Sequence, residues 1–167
     1  MELQLAAAEV AERRTEVAEL TRAELGAVHL ADRLRAAQGE VVTVWVAGDR
    51  VRGVLTDVGP VWALLEESAR EHLVPLAAIT SVSGAGRAST APASGVLSRL
   101  GLGHALRAVS RDRSVVRVVT AAGPLVGRID EVGADHLGVA LVHPDAPRPT
   151  GEVRLVPFTA LQLVSSL

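Results

Sequence analysis

The sequence predicts a mainly β protein with helices: two small five-stranded barrels in tandem, each preceded by a helix, after a long N-terminal helix. Two observations carry this prediction. Blocks of sequence recur in the same order in the two halves of the chain. Within each copy, short runs of alternating apolar and polar residues are separated by glycine and proline turns, which indicates strands. A sheet this small needs closed or capped edges, so we expect each copy to close into a barrel.

The two copies are visible as an internal repeat. The stretch at residues 41–65 aligns without a gap with residues 115–139, and several valines and glycines are kept. Downstream, HLVPLAAITSVS at residues 72–83 matches RLVPFTALQLVS at residues 154–165. A shorter upstream block, LRAAQ in the first copy and LRAVS in the second, precedes both. Such blocks in one order are hard to obtain by chance, so the chain is read as a duplication.

The repeat sets the expected domain boundaries. The N-terminal helix occupies residues 1–30, the first barrel with its leading helix residues 31–83, and the second residues 97–167; the last two are called the first and second half below. Between them, residues 84–96 are rich in Gly, Ala and Ser, which predicts a flexible linker. The second copy carries an insertion, HPDAPRPTG at His143–Gly151, whose three prolines and glycine predict a loop.

Each copy is expected to contain five short, bent strands. Val42, Val44 and Val46 alternate with other residues, and this period of two indicates a half-buried strand. Gly53 and Gly127 fall inside the second strand of their copies, where glycine suits a sharp bend. The predicted strands of the first copy are residues 42–47, 51–58, 61–66, 72–75 and 79–82. Those of the second copy are residues 115–120, 125–132, 137–142, 153–156 and 161–164.

Helical spacing is found before each set of strands. Residues 97–109 predict the second leading helix, although two glycines weaken it. The first helical pattern runs from Glu2 to about Ala37 with Gly26 as its only breaker, which is longer than a small barrel can cover. Two alternatives stand: the helix folds back on itself within the monomer, or it mediates self-association through a heptad stripe. The candidate residues for self-association are Leu3, Val10 and Val17.

The strand and turn pattern resembles the Sm-like family. Residues 42–65, VTVWVAGDRVRGVLTDVGPVWALL, look like the first Sm motif: an alternating strand, a turn, a bend glycine and an apolar third strand. LVPLAAITSV is similar to the second motif of the bacterial Sm-like RNA chaperone, with the closing pair kept as Ala78 and Ile79. The resemblance implies rings of barrels joined edge strand to edge strand, and binding of uridine-rich RNA. Small SH3-like barrels share the strand order and are the alternative fold.

The RNA-binding positions that this resemblance implies are not retained. The family's Asp and Asn of the first motif fall on Gly59 and Ala63 in the first copy, and the basic residues of the second motif fall on Pro75 and Leu76. The second copy departs in the same way. Apolar groups have replaced the hydrogen-bonding ones, so we expect no uridine readout at the usual pocket.

The composition narrows the functional class. Hydrophobic residues make up 49% and charged residues 22% of the 167 residues, enough for a packed core. The net charge of −2 gives no general attraction to nucleic acid. There is no cysteine, no signal-peptide pattern and no membrane-length apolar run, so we expect a cytoplasmic protein without membrane insertion. The histidines at Asp135-His136 and His143 suit surface turns, and no catalytic residue, metal site or cofactor is predicted.

One basic cluster is the candidate contact site. It consists of Arg99, Arg107, Arg111, Arg113 and Arg117. Three interpretations of this cluster are open. The arginines face solvent and have no role, or they contact phosphate groups without reading the base sequence. Alternatively, they dock the acidic N-terminal helix of the same or another chain. We therefore expect a non-enzymatic assembly or interaction protein, a scaffold or regulator, that self-associates and whose protein partner stays open. The alternative is an RNA-binding protein that uses this arginine cluster without sequence specificity.

Overall fold

The structure, a computed structural model, describes the backbone of residues 2–92, 100–143 and 145–167 and the side chains of residues 12–92, 100–143, 145–146 and 148–167. Before the linker lie α1 (Glu2–Gly26), α2 (Leu30–Ala36), β1 (Val41–Val46), β2 (Asp49–Val58), β3 (Trp62–Glu67), β4 (Arg70–Pro75) and β5 (Ile79–Ser83). After it lie α3 (Leu102–Val109), β6 (Val115–Thr120), β7 (Gly123–Val132), β8 (His136–His143), β9 (Ala146–Pro157) and β10 (Leu161–Ser166).

The strands form one open antiparallel sheet of ten strands in the order β5-β1-β2-β3-β4-β10-β6-β7-β8-β9. The prediction of two closed five-stranded barrels, Sm-like or SH3-like, is therefore wrong. The physical reason is the pairing of β4. It pairs with β10 of the second half, with Leu73 opposite Val164 and His72 opposite Ser165. That pairing leaves β4 without a free edge for β5, so the first half stays open, and β5 and β9 become the edges of the sheet.

The strand order of the first half, β5-β1-β2-β3-β4, is repeated in the second half as β10-β6-β7-β8-β9. Local irregularities repeat as well. The pairing of β2 with β3 shifts by one residue at Thr56, and the pairing of β7 with β8 shifts at the corresponding Asp130. A one-residue bulge bends a strand and increases its twist. The duplication seen in the sequence thus extends to where the strands bend.

Two hydrophobic clusters form the core, and each draws side chains from both halves. The cluster of the first half contains Leu34, Val44 and Leu65, but also Val119 and Leu163 of the second half. The cluster of the second half includes Leu106 and Leu137, and it is joined by two side chains of the first half, Trp62 and Leu73. Burying a large apolar side chain contributes about 1.5–3 kcal/mol. The exchanged side chains therefore bind the two halves together.

The helical region before the first half is interrupted. The expected helix from Glu2 to Ala37 is two helices, because α1 ends at Gly26 and α2 begins at Leu30. All described side chains of α1 are exposed, whereas Leu34 of α2 is fully buried. In the second half, α3 begins at Leu102, later than predicted, with Gly101 as its N-cap. Residues 97–99 of the predicted helix lie outside the described residues.

The insertion at His143–Gly151 is not the predicted loop. From Ala146 it continues as part of β9, and Pro149 lies opposite Val142 of β8. Proline cannot donate to a ladder hydrogen bond, but on an edge strand one side of the backbone faces no neighbour in the sheet. Pro149, one of the prolines that suggested a loop, therefore suits an edge strand. It hinders pairing with another chain at that part of β9, whereas residues 153–156 of the same strand contain no proline.

The described part of the linker, up to Pro92, is held against α2 at one point. The backbone N–H of Thr90 donates to the Asp32 carbonyl at 2.9 Å, and the Arg35 guanidinium donates to the Thr90 carbonyl at 2.8 Å. The same guanidinium donates to the Asp32 carboxylate at 2.6 Å, which holds the pKa of that carboxyl below its usual value. Residues 93–96 of the predicted linker lie outside the described residues.

Candidate functional site

The junction between β4 and β10, called the seam below, is where the two halves meet. Across it the backbone N–H of Glu71 donates to Ser166 Oγ at 2.7 Å. Beside it, the indole N–H of Trp62 donates to the Leu100 carbonyl at 3.0 Å. These bonds fix the register of a contact whose apolar part is formed by the exchanged side chains.

A buried histidine lies in the seam. His72 Nδ1 is 2.8 Å from the Ser165 Oγ, and both residues are buried. The other ring nitrogen, Nε2, is buried without a hydrogen-bond partner in the described part of the chain, and Glu67 Oε2 lies 3.7 Å from it. Burial lowers the pKa of His72, although the Glu67 carboxylate opposes this shift. A neutral imidazole is therefore favoured in the folded seam.

The two edges of the sheet are the counterparts of the strands that meet at the seam. By the repeat, β9 corresponds to β4 and β5 corresponds to β10. Leu73 on β4 is 1% exposed in the seam, whereas its counterpart Leu155 on β9 is 64% exposed. Val153, on the same strand, is also exposed. The β9 edge of the sheet thus exposes a leucine at the position whose counterpart is buried in the seam.

The predicted arginine cluster is divided. Arg99 lies outside the described residues. Arg107 on α3 and Arg111 and Arg113 after it are exposed. Arg117 is half-buried on β6, and its guanidinium lies 3.6 Å from the Asp49 carboxylate of β2. The structure therefore places Arg117 in an ion pair between the halves and leaves three described arginines on the surface.

The predicted self-association stripe on α1 is only partly described. The side chains of Leu3 and Val10 lie outside the described residues. Val17 is exposed. Leu20 and Leu25 on the same helix are exposed too. Three exposed apolar side chains make α1 a second candidate surface beside the sheet edges.

Of the histidines considered in the sequence, His136 has a contact with its neighbour in the chain. His136 Nδ1 lies 2.9 Å from the Asp135 carboxylate, and this contact lowers the pKa of Asp135. Within the described residues, no group of three or more His, Asp or Glu side chains is arranged to hold a metal ion. No described helix is both long and apolar enough to cross a membrane.

Sequence reasoning missed the side chains that form the seam. Val119 and Leu163 lie on the outer face of their strands, where a half-buried sheet is expected to be polar. The available signal was a break in the alternation: Val118 and Val119 are consecutive valines, and both are buried. An apolar residue on the expected outer face indicates that something covers that face.

The comparisons with known proteins add no family to this description. No protein-family model matches the chain, and no curated protein matches it either. The resemblance to Sm-like proteins therefore depends on the quoted motifs alone.

Proposed function

We propose that this protein is a non-enzymatic assembly protein whose copies join head to tail through the β9 edge of one chain and the β5 edge of the next. One observation carries the proposal: β4 and β10 pair inside the chain, and their repeat counterparts β9 and β5 are the two edges of the same sheet. An interface between two different surfaces leaves one of each free, so such a contact either closes into a ring or continues as a fibre.

The exposed apolar side chains of β9 support the proposal. Leu155 is the counterpart of a residue that the seam buries almost completely, and Val153 extends the exposed apolar surface along the strand. Unpaired strand edges are templates for pairing with another chain. A scaffold or regulatory role, action in the cytoplasm and a distant Sm-like ancestry belong to the same proposal, and the partner protein stays unassigned.

The experiment compares two leucines of similar exposure. Leu155→Asp places a charge on the β9 edge, and Leu20→Asp places one on α1, where the leucine is 61% exposed. Molecular mass is measured by light scattering after gel filtration across a range of concentrations. We expect oligomers for the unchanged protein and for Leu20→Asp, and a loss of oligomers for Leu155→Asp.

Two outcomes contradict the proposal. If the unchanged protein is monomeric at high micromolar concentration, neither edge mediates assembly. If Leu20→Asp or removal of the residues before Ala31 yields monomers while Leu155→Asp does not, α1 drives self-association instead. Circular dichroism of each variant checks that the fold is retained.

A second candidate function is RNA binding without sequence specificity. The observation in its favour is the exposure of Arg107, Arg111 and Arg113 within seven residues of sequence. Contacts of arginine with phosphate give affinity that falls with salt and ignores the bases. The purified protein would then carry nucleic acid, detectable as absorbance at 260 nm that nuclease treatment removes.

A further inference from the structure

The seam shows which side chains a sheet edge needs for joining two halves. Val119 on β6 and its cross-strand neighbour Leu163 on β10 are buried in the cluster of the first half. There they share the cluster with Val46, Val51 and Val74. Two aliphatic side chains from the outer face of the second half thus enter the hydrophobic cluster of the first half.

At the free β5 edge the same two positions have different occupants. The counterpart of Val119 is Trp45, and the counterpart of Leu163 is Ser81; these two are also cross-strand neighbours. Trp45 is 37% exposed, so part of its indole ring is available to a partner. A large ring beside a small hydroxyl replaces two medium-sized side chains, so the pair offers a similar volume in another shape.

The opposite end of the sheet contains a matching groove. The counterparts of Val46, Val51 and Val74 are Thr120, Leu125 and Val156, and all three line an open groove of about 280 Å³. In the first half, the corresponding valines are buried in a cluster with Val119 and Leu163 from across the seam. Arg154 also lines the groove, and a guanidinium stacks favourably on an indole face.

A second pair of positions agrees with this arrangement. The upstream blocks of the repeat align Leu30 on α2 with Leu102 on α3. Leu102 is 8% exposed and lies in the same cluster as Leu73, whereas Leu30 is 41% exposed. Because Leu155 is the counterpart of Leu73, Leu30 and Leu155 are the exposed counterparts of two residues that share one buried cluster at the seam.

We infer that the groove between β7 and β9 is a docking site for Trp45 of a second copy of this chain, with Leu30 of that copy packed on Leu155. This inference rests on the head-to-tail assembly proposed above and names the side chains that specify it. Trp45 is the expected hot spot of this contact, because the residues that contribute most binding energy are enriched in tryptophan and lie in well-packed pockets.

Tryptophan fluorescence gives a direct test. Trp45 and Trp62 are the two tryptophans of the chain, and Trp62 is already buried in the monomer. As protein concentration rises through the assembly range, we expect the emission to shift to shorter wavelength and acrylamide quenching to decrease. Trp45→Ser should remove the shift and raise the dissociation constant by about 30-fold or more, the effect of losing one hot-spot side chain.

Val54→Ser is the matched control. Val54 has the same 37% exposure as Trp45, and its counterpart Arg128 stays exposed although the two halves are joined, so this position lies outside the expected interface. We expect its dissociation constant to equal that of the unchanged protein.

Mixing two defective variants tests the polarity of the contact. Trp45→Asp retains an intact groove, and Leu155→Asp retains an intact Trp45, so an equimolar mixture should form dimers and no larger species. If assembly persists in Trp45→Ser with an unchanged constant while Leu155→Asp abolishes it, the docking of Trp45 is wrong and head-to-tail assembly stands. If the unchanged protein never assembles, both are wrong.

Discussion

Gly53 is a position where a single added methyl group would meet the backbone of the neighbouring strand. A Cβ at this position would lie 2.4 Å from the backbone oxygen of Glu66 and 2.9 Å from its carbonyl carbon. Both atoms belong to the backbone of β3, so no side-chain rotation relieves the contact. Gly53→Ala therefore forces β2 and β3 apart at the start of the paired region between them.

The cost follows from two opposing effects. Overpacking that shifts backbone typically costs about 1–3 kcal/mol. Replacing glycine by alanine also reduces the freedom of the unfolded chain, which returns about 0.4–1 kcal/mol. We expect a net loss of about 1–2 kcal/mol in the free energy of unfolding. For a chain of this size, that loss lowers Tm by roughly 2–8 °C.

Thermal and urea denaturation followed by circular dichroism measure the effect. Gly127→Ala should cost a similar amount, because a Cβ there would lie 2.4 Å from the backbone oxygen of Ala140. Gly86→Ala is the control, since no atom lies within 4 Å of the added Cβ. A Tm for Gly53→Ala equal to that of Gly86→Ala would refute the argument that close strand approach requires glycine here.

Two further predictions concern the seam and the surface arginines. His72 has a lowered pKa in the folded state, so the unfolded chain binds its proton more readily, and stability should fall as pH drops below about 6.5. His72→Gln should flatten that dependence in urea denaturation at several pH values. If the protein binds RNA, anisotropy should show affinity that is indifferent to uridine content and falls with salt, with a shallower salt dependence in the Arg111→Ser, Arg113→Ser double variant. Tight uridine-selective binding at moderate salt would argue against the loss of the base-reading pocket.

The elements themselves were largely predictable from the sequence. β6 has the predicted bounds of residues 115–120, and the other strands lie within a few residues of their expected places, with the extended β9 as the exception. This success has a local cause, because alternation and turn residues act between neighbours in sequence. The repeat likewise predicted that the halves share a plan, and their strand order is the same.

The candidate site was less predictable. Of the five arginines proposed as contacts, Arg117 lies in an ion pair across the halves, and Arg99 lies outside the described residues. Charge clusters in sequence do not show whether residues share a surface, because the strand register decides which side chains meet. The proposed assembly surfaces around Trp45 and Leu155 are recognisable only through their counterparts in the seam.

The sequence by itself determined the strands and the duplication, since these depend on short-range pattern. The tertiary structure decided which strands form the edges of the sheet. Whether β4 pairs with β5 of its own half or with β10 of the other depends on contacts between residues about 90 positions apart, such as His72 with Ser165. A strand edge offers similar backbone groups to any partner, so alternation alone cannot choose between a closed barrel and an open sheet. The choice is made by outer-face side chains, Leu73 and Leu163 among them, that are buried only when the two halves meet.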